Sequence, residues 1–197
     1  MIIGLTGSIA SGKSTVSKML KELGYPIIDA DLVARVVVEK GTKTLETIKE
    51  TFGEEVISKD GTLNREKLGN IIFSSPHDRK QLNDIMHPAI REEMLRQKDV
   101  LFQEGYDTIV MDIPLLFESK LQSYVNKILV VTVTEEIQLE RLIARNNYSL
   151  EEAKARIQSQ LPLSIKEKGA DAVIYNNGTL ENTNEQLKKI LSIWEGE

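Results

Sequence analysis

The chain contains no cysteine. That excludes a disulfide framework, a thiolate metal site and a cysteine nucleophile, and it fits a reducing compartment. Histidine is scarce as well, with only His77 and His87. His77 has no evident ligand partners nearby, so a two-histidine metal site is not expected. No apolar run approaches the roughly 18 residues of a membrane span. The start lacks a basic segment followed by an apolar one, so no signal peptide is read there, and a cytoplasmic protein without membrane association is expected. Positive charge is in deficit: 25 Lys and Arg stand against 30 Asp and Glu, a net charge of −5. That balance argues against broad nucleic-acid binding. There is no internal repeat or low-complexity stretch, and nothing in the pattern specifies an oligomeric state.

What is present is enough for one globular domain. The 197 residues, 41% hydrophobic and 28% charged, can bury a sizeable core and leave room for small inserted lobes. The strongest local signal is Gly7-Ser8-Ile9-Ala10-Ser11-Gly12-Lys13-Ser14. It reads G-x-x-x-x-G-K-S, a phosphate-binding loop. A short apolar run, residues 2–6, precedes it and suits a buried parallel strand. After it, Val16, Met19, Leu20 and Leu23 recur at helical spacing and Gly24 supplies a stop. Gly7 and Gly12 let the backbone turn tightly and approach an anion. Successive N–H groups and the helix dipole then meet the phosphates. Lys13 would reach the β- and γ-phosphates, and the Ser14 hydroxyl would bind Mg²⁺. An acidic protein can hold a polyphosphate in this way, because the loop relies on backbone dipoles and one lysine.

Five short apolar segments read as strands: 2–6, 26–29, 108–112, 127–133 and 172–175. Helical patterns separate them, which predicts an α/β fold: a parallel five-stranded sheet with helices on both faces. Ligands in such sheets sit beyond the carboxyl ends of the strands. Asp29, Asp31 and Asp112 all fall at or just after predicted strand ends. Residues 37–104 carry helical patterns only. Leu45, Ile48 and Phe52 form one stripe; Leu68, Ile71, Ile72 and Phe73 form another; Pro88 is expected to open a further helix. This insertion is larger than a sheet crossover needs, and in a kinase it would hold the phosphate acceptor. A second lobe, about 135–162, reads as helical and carries Arg141, Arg145 and Arg156, with Pro162 ending it. The expected layout is a single domain: core about 1–36, 105–134 and 163–197, helical lobe about 37–104, lid about 135–162.

The carboxylates have two readings each. In Asp29-Ala30-Asp31, one acid could position and the other act as base toward an acceptor hydroxyl, or the segment could simply cap a helix over 32–38. Asp112 ends an apolar strand, the general form of the Mg²⁺-side acid in phosphate-loop enzymes, although many strands end in Asp. Arg141 and Arg145 lie four residues apart and share a helix face. They either clamp the transferring phosphoryl group or form a solvated basic face. Asn126-Lys127 lacks the Asp of a guanine-reading motif, since Leu129 stands in its place, so a GTPase is disfavoured.

With these residues in view, the sequence resembles the dephospho-CoA kinase family over nearly its whole length. The matching stretches are Gly4 through Thr15, Asp29-Ala30-Asp31 with Arg35, His87-Pro88, and Asp112-Ile113-Pro114-Leu115-Leu116-Phe117-Glu118. Arg141, Arg145, Arg156-Ile157 and Gln160 match in the lid, and Ala170 to Ile174 with Asn176-Asn177-Gly178 match near the end. The Asp112–Glu118 run is the most specific. The resemblance implies a P-loop kinase built of a nucleotide core, a helical acceptor-binding insertion and a small mobile lid. It implies transfer of the γ-phosphoryl of ATP, with Mg²⁺, to the 3′-hydroxyl of dephospho-CoA, the last step of coenzyme A synthesis. The nucleotide side would comprise Gly7, Ala10, Ser11, Gly12, Lys13, Ser14, Thr15 and Asn176. Asp31 would be the base, Asp112 and Ser14 the metal side. Lys13, Arg141 and Arg145 would act on the phosphates, and Arg35, His87 and Leu115 would join Asp31 in binding the acceptor. Ala10 stands where many members of the family have glycine.

Two rival functions share some of these features. A shikimate- or gluconate-type kinase would also combine the loop with an Asp-x-Asp, but no Arg precedes a Gly-Gly-Gly run here. A non-catalytic nucleotide switch would need neither a base nor lid arginines.

Overall fold

The computed structural model describes residues 1–196. The chain divides into two compact units: Met1–Ile28 joined with the chain from Gly105 onward, and Asp29–Glu104.

The first unit is built on the sheet. Its strands are β1 (Ile2–Gly7), β2 (Ile27–Asp29), β3 (Ile109–Asp112), β4 (Lys127–Thr132) and β5 (Ala172–Tyr175), in the order β2-β3-β1-β4-β5. β1 pairs in parallel with β3 and with β4, and β4 with β5. β1 and β4 are buried at nearly every position, on both faces. That pattern requires cover on both sides of a parallel sheet, and helices supply it: α1 (Lys13–Glu22) and α9 (Leu180–Glu195) pack together, and α8 (Leu163–Lys168) packs on β4. Ile3, Leu5, Val16, Leu20, Leu129, Ile174 and Leu187 form the centre of one core cluster. Each such side chain contributes about 1.5–3 kcal/mol by leaving water. Because β1 lies between β3 and β4, the chain leaves it toward one side of the sheet and later continues on the other. The carboxyl end of β1 is therefore a topological switch point, where such sheets bind ligands.

Two further helices, α6 (Glu135–Asn146) and α7 (Leu150–Gln158), occupy the segment expected to be a helical lid. They are separate because Asn147 takes a left-handed conformation with φ 53° and ends α6. Ser149 and Glu152 then form a reciprocal capping box that opens α7. The Ser149 N–H, and after it the hydroxyl, hold the Glu152 carboxyl below its usual pKa. Arg156 stacks over the Tyr148 ring at 4.6 Å, fixing the turn. Pro162 caps α8 instead of merely ending the preceding helix.

The second unit is helical. It contains α2 (Ala30–Val36), α3 (Lys43–Phe52), α4 (Arg65–Ser74) and α5 (Pro76–Gln103); the first three pack on α5. Residues 29–36, expected with the core, group with these helices because α2 packs on α5. Leu45, Ile48 and Leu68 are buried as their stripes predict, but Phe73 is 84% exposed. Three consecutive apolar residues at 71–73 cannot share one helix face at 3.6 residues per turn. Pro88 does not open a helix; it lies inside α5. The start is set 12 residues earlier, where the Ser75 hydroxyl accepts from Asp78 N and Pro76 occupies the first turn. Pro88 removes one N–H from the ladder; the position is exposed, so water can reach the freed carbonyl. Among the described residues, no helix is long and apolar enough to cross a membrane.

Candidate phosphate-binding site

The loop Gly7–Lys13 leaves β1 at the switch point and enters α1 through Gly12 (φ 89°), which caps the helix with no side-chain bond. The first N–H groups of α1 thus keep no side-chain acceptor at the cap, and no acidic residue stands in the first turn. This end is suited to an anion. Two glycines are required by close approach. A Cβ on Gly7 would lie 2.6 Å from Ser11 Oγ and 2.9 Å from the Val131 carbonyl, and one on Gly12 only 2.0 Å from Asn176 Nδ2.

Ala10 sits at φ 60°, left-handed backbone that favours glycine. Ala10→Gly is expected to raise stability by about 0.5–1 kcal/mol after allowing for glycine's entropy in the unfolded chain, and Tm by about 1–4 °C. A thermal melt checks it. A fall in Tm would show that the Ala10 methyl contributes more by packing than the backbone loses by strain.

Side chains from far along the chain hold the loop. Lys166 Nζ donates to the Gly7 carbonyl (2.8 Å), Gln138 Nε2 to the Ile9 carbonyl (2.8 Å) and Asn176 Nδ2 to the Ser11 carbonyl (3.0 Å). In a trans peptide, C=O and the following N–H point opposite ways. Anchoring alternate carbonyls in this way turns the N–H groups of Ser8, Ala10 and Gly12 away from their anchors. The Ser8 hydroxyl bridges two glutamines, donating to Gln160 Oε1 and accepting from Gln138 Nε2, and Ile9 N also donates to Gln160. Gln138 and Gln160 stand near the two ends of the α6–α7 segment, so both ends grip the loop.

Several of the candidate groups converge beside it. The Lys13 ammonium ion-pairs and hydrogen-bonds with Asp112 Oδ1, at the carboxyl end of β3. The Asp112 side chain is 4% exposed. β3 pairs with β1 in the register Leu5↔Asp112, which sets that acid next to the start of the loop. Ser14 is exposed in the first turn of α1, followed by Thr15. Arg141, on α6, donates to the Asn176 carbonyl (3.0 Å), and Asn176 also accepts from the Thr183 hydroxyl. Gly12, Asn176 and Arg141 are thus brought together. Arg145 is not part of that group: it is exposed near the end of α6, its Nε donating to Asn146. Leu115 is 44% exposed in the loop after β3, and the Pro114 carbonyl accepts from the Thr6 hydroxyl.

The remaining candidates belong to the helical unit. Asp29 is the cap of α2, its carboxylate accepting from the N–H groups of Asp31 and Leu32. Asp31 stands exposed in the first turn of α2, and Arg35 is exposed in its last. His87 is exposed in the middle of α5, so it caps no helix.

Lys166 and Gln138 escaped sequence reasoning. Gln138 sits among charged residues of α6, and Lys166 lies in the stretch 164–168, where every residue but Ile165 is polar and which reads as a solvated face. Both are buried. Their loop partners lie 129 to 159 residues away, and Lys166 also pairs with Glu118.

Comparison with known proteins shows the family. The family described as dephospho-CoA kinase matches residues 1–182. A dephospho-CoA kinase of Bacillus anthracis is 58% identical over 194 residues, covering 98% of this chain and 97% of the relative. A crystal structure from Thermus thermophilus superposes with a TM-score of 0.82 at 35% identity, over 98% of this chain and 97% of that one. A dephospho-CoA kinase structure from Campylobacter jejuni gives 0.76 at 32% identity, over 99% and 98%. Identity this high along the whole length carries the fold, and the chain belongs to the dephospho-CoA kinase family.

Proposed function

We infer that this chain transfers the γ-phosphoryl of ATP to the 3′-hydroxyl of dephospho-CoA, completing coenzyme A in the cytoplasm. The observation that carries the chemistry is the meeting of Lys13 and Asp112 beside an anchored phosphate loop. The family membership carries the acceptor.

The loop N–H groups and Lys13 hold the β- and γ-phosphates. The acceptor 3′-oxygen attacks Pγ in line as the bond from Pγ to the β–γ bridging oxygen breaks and ADP leaves. Asp31 orients the hydroxyl and takes its proton late in the transfer. Arg35, His87 and Leu115 bind the acceptor. Arg141 and Asn176 support the nucleotide end of the loop, where they already meet Gly12.

The site suits Mg²⁺. Ser14 and Asp112 are hard oxygen donors. Among the described residues, no group of three His, Cys, Asp or Glu side chains could cage a metal by itself. Mg²⁺ in nucleotide sites takes one or two protein oxygens together with substrate phosphates. When bound, the ion neutralises charge on the β- and γ-oxygens.

The discriminating experiment offers ATP with dephospho-CoA, shikimate or gluconate and measures ADP release. Turnover is expected with dephospho-CoA alone. Release with either small acid would point to the rival kinases, and release with none to a nucleotide switch.

Arg145 is assigned to the transferring phosphoryl group, reached when the lid closes. Arg145→Ala is expected to lower kcat by roughly 10² while KM for ATP changes little, because its contact forms mainly in the transition state. Steady-state kinetics decide. If KM for ATP alone rose, Arg145 would be a ground-state binder.

A further inference from the structure

Lys166 is fully buried and stands outside every sequence motif. A buried ammonium costs several kcal/mol in lost hydration unless it is paired and hydrogen-bonded. Its two partners are specific: the Gly7 carbonyl at 2.8 Å and Glu118 Oε1 at 2.8 Å. Glu118 Oε1 also accepts from Leu161 N, while its Oε2 is buried with no hydrogen-bond partner. On the same helix, Glu167 accepts from the Thr132 hydroxyl of β4, which pins α8 to the sheet. The ammonium is therefore presented to the loop from a fixed base.

We propose that Lys166 is a positioning residue for nucleotide binding: its buried ammonium locks the Gly7 carbonyl and so aims the first N–H of the phosphate loop before ATP arrives. Of the three carbonyl anchors, Lys166 is the only charged one, so its bond is the strongest. It acts at the first peptide after β1, where any rotation would be carried into the rest of the loop. Preorganised donors cost no reorganisation when the anion binds. The Glu118 carboxylate balances the buried charge, so the pair adds little net field. The effect lies in orientation.

A purely structural reading makes Lys166 the neutraliser of Glu118 and nothing more. Two variants separate the readings. Lys166→Met leaves the half-buried Glu118 carboxylate without its counter-charge, so it is expected to lose stability. The double variant Lys166→Met with Glu118→Gln removes both charges at similar volume and is expected to recover most of it. It still lacks the donor to Gly7. ATP binding to the double variant, measured by calorimetry, is expected to weaken about ten- to hundredfold, the range for losing a charge-assisted hydrogen bond. KM for ATP should rise likewise, with KM for dephospho-CoA unchanged. A loss smaller than about tenfold in a folded double variant overturns the proposal.

If the double variant does not fold, Glu118→Gln alone decides. It leaves the Lys166 amine as donor to the Gly7 carbonyl whether or not it keeps its proton, so ATP affinity should stay within about tenfold of the parent, and a larger loss overturns the proposal. The proposal rests on the nucleotide half of the function above. Calorimetry with ATP needs no acceptor, so failure to use dephospho-CoA would leave this test intact.

Discussion

Lys13→Ala is expected to lower kcat by about 10²–10³, the usual effect of removing one charge-stabilising donor from a transition state. Lys13 is the only lysine of the G-x-x-x-x-G-K-S loop, and its ammonium already meets Asp112 at the carboxyl end of β3. The electrostatic reason is local. The transferring group carries its charge on peripheral oxygens, and a low-dielectric site makes each fixed positive charge count for more than it would in water. The fold should survive, since the core cluster of β1, β3, β4, β5, α1 and α9 does not include Lys13. Removing the ammonium also takes one partner from a buried carboxylate, so a modest fall in Tm should accompany the loss of activity. Circular dichroism with steady-state kinetics checks both. A folded variant with ordinary turnover would refute the assignment of this loop as the reaction centre.

Asp31→Asn is expected to lower kcat by about 10²–10⁴, the range for general acid–base catalysis. A ribose hydroxyl is a poor nucleophile at neutral pH, and a carboxylate in reach can orient it and accept its proton. Asparagine keeps the size and part of the hydrogen bonding but loses the basicity. Local structure makes Asp31 the better candidate of the pair. Asp29 already spends one carboxylate oxygen on two N–H groups as the α2 cap, whereas the Asp31 side chain is exposed. Kinetics should be paired with calorimetric ATP binding, which is expected to change little. Near-normal kcat would eliminate Asp31 as the base. Lost ATP binding would instead place Asp31 on the metal side and overturn the division of labour with Asp112.

Particular elements show where sequence reasoning reached and where it stopped. The five strands were legible within a residue or two of their ends, because strands of a parallel sheet covered by helices are short apolar runs, and the edge strands β2 and β5, though only partly buried, keep that pattern. The break at Asn147 was written in the chain as a left-handed stop followed by Ser149-x-x-Glu152, a local signal hidden by reading the segment as one helix. Pro88 misled for the opposite reason: the rule that proline opens helices applies to Pro76 in the same helix, and position alone does not say which proline obeys it.

Local residue patterns specify the strand–loop–helix unit of the phosphate loop, the acid at the end of β3, the α/β class and the resemblance that names the acceptor. All of these are written in residues close together in the chain, where spacing and side-chain type suffice. What holds the loop in shape comes from folding alone. Lys166, Gln138 and Asn176 each reach a loop carbonyl from 129 to 165 residues away. No periodicity reports such a contact. A polar side chain in a helix reads as solvated until folding brings a carbonyl to it, and its burial is then repaid by the hydrogen bond that the carbonyl accepts.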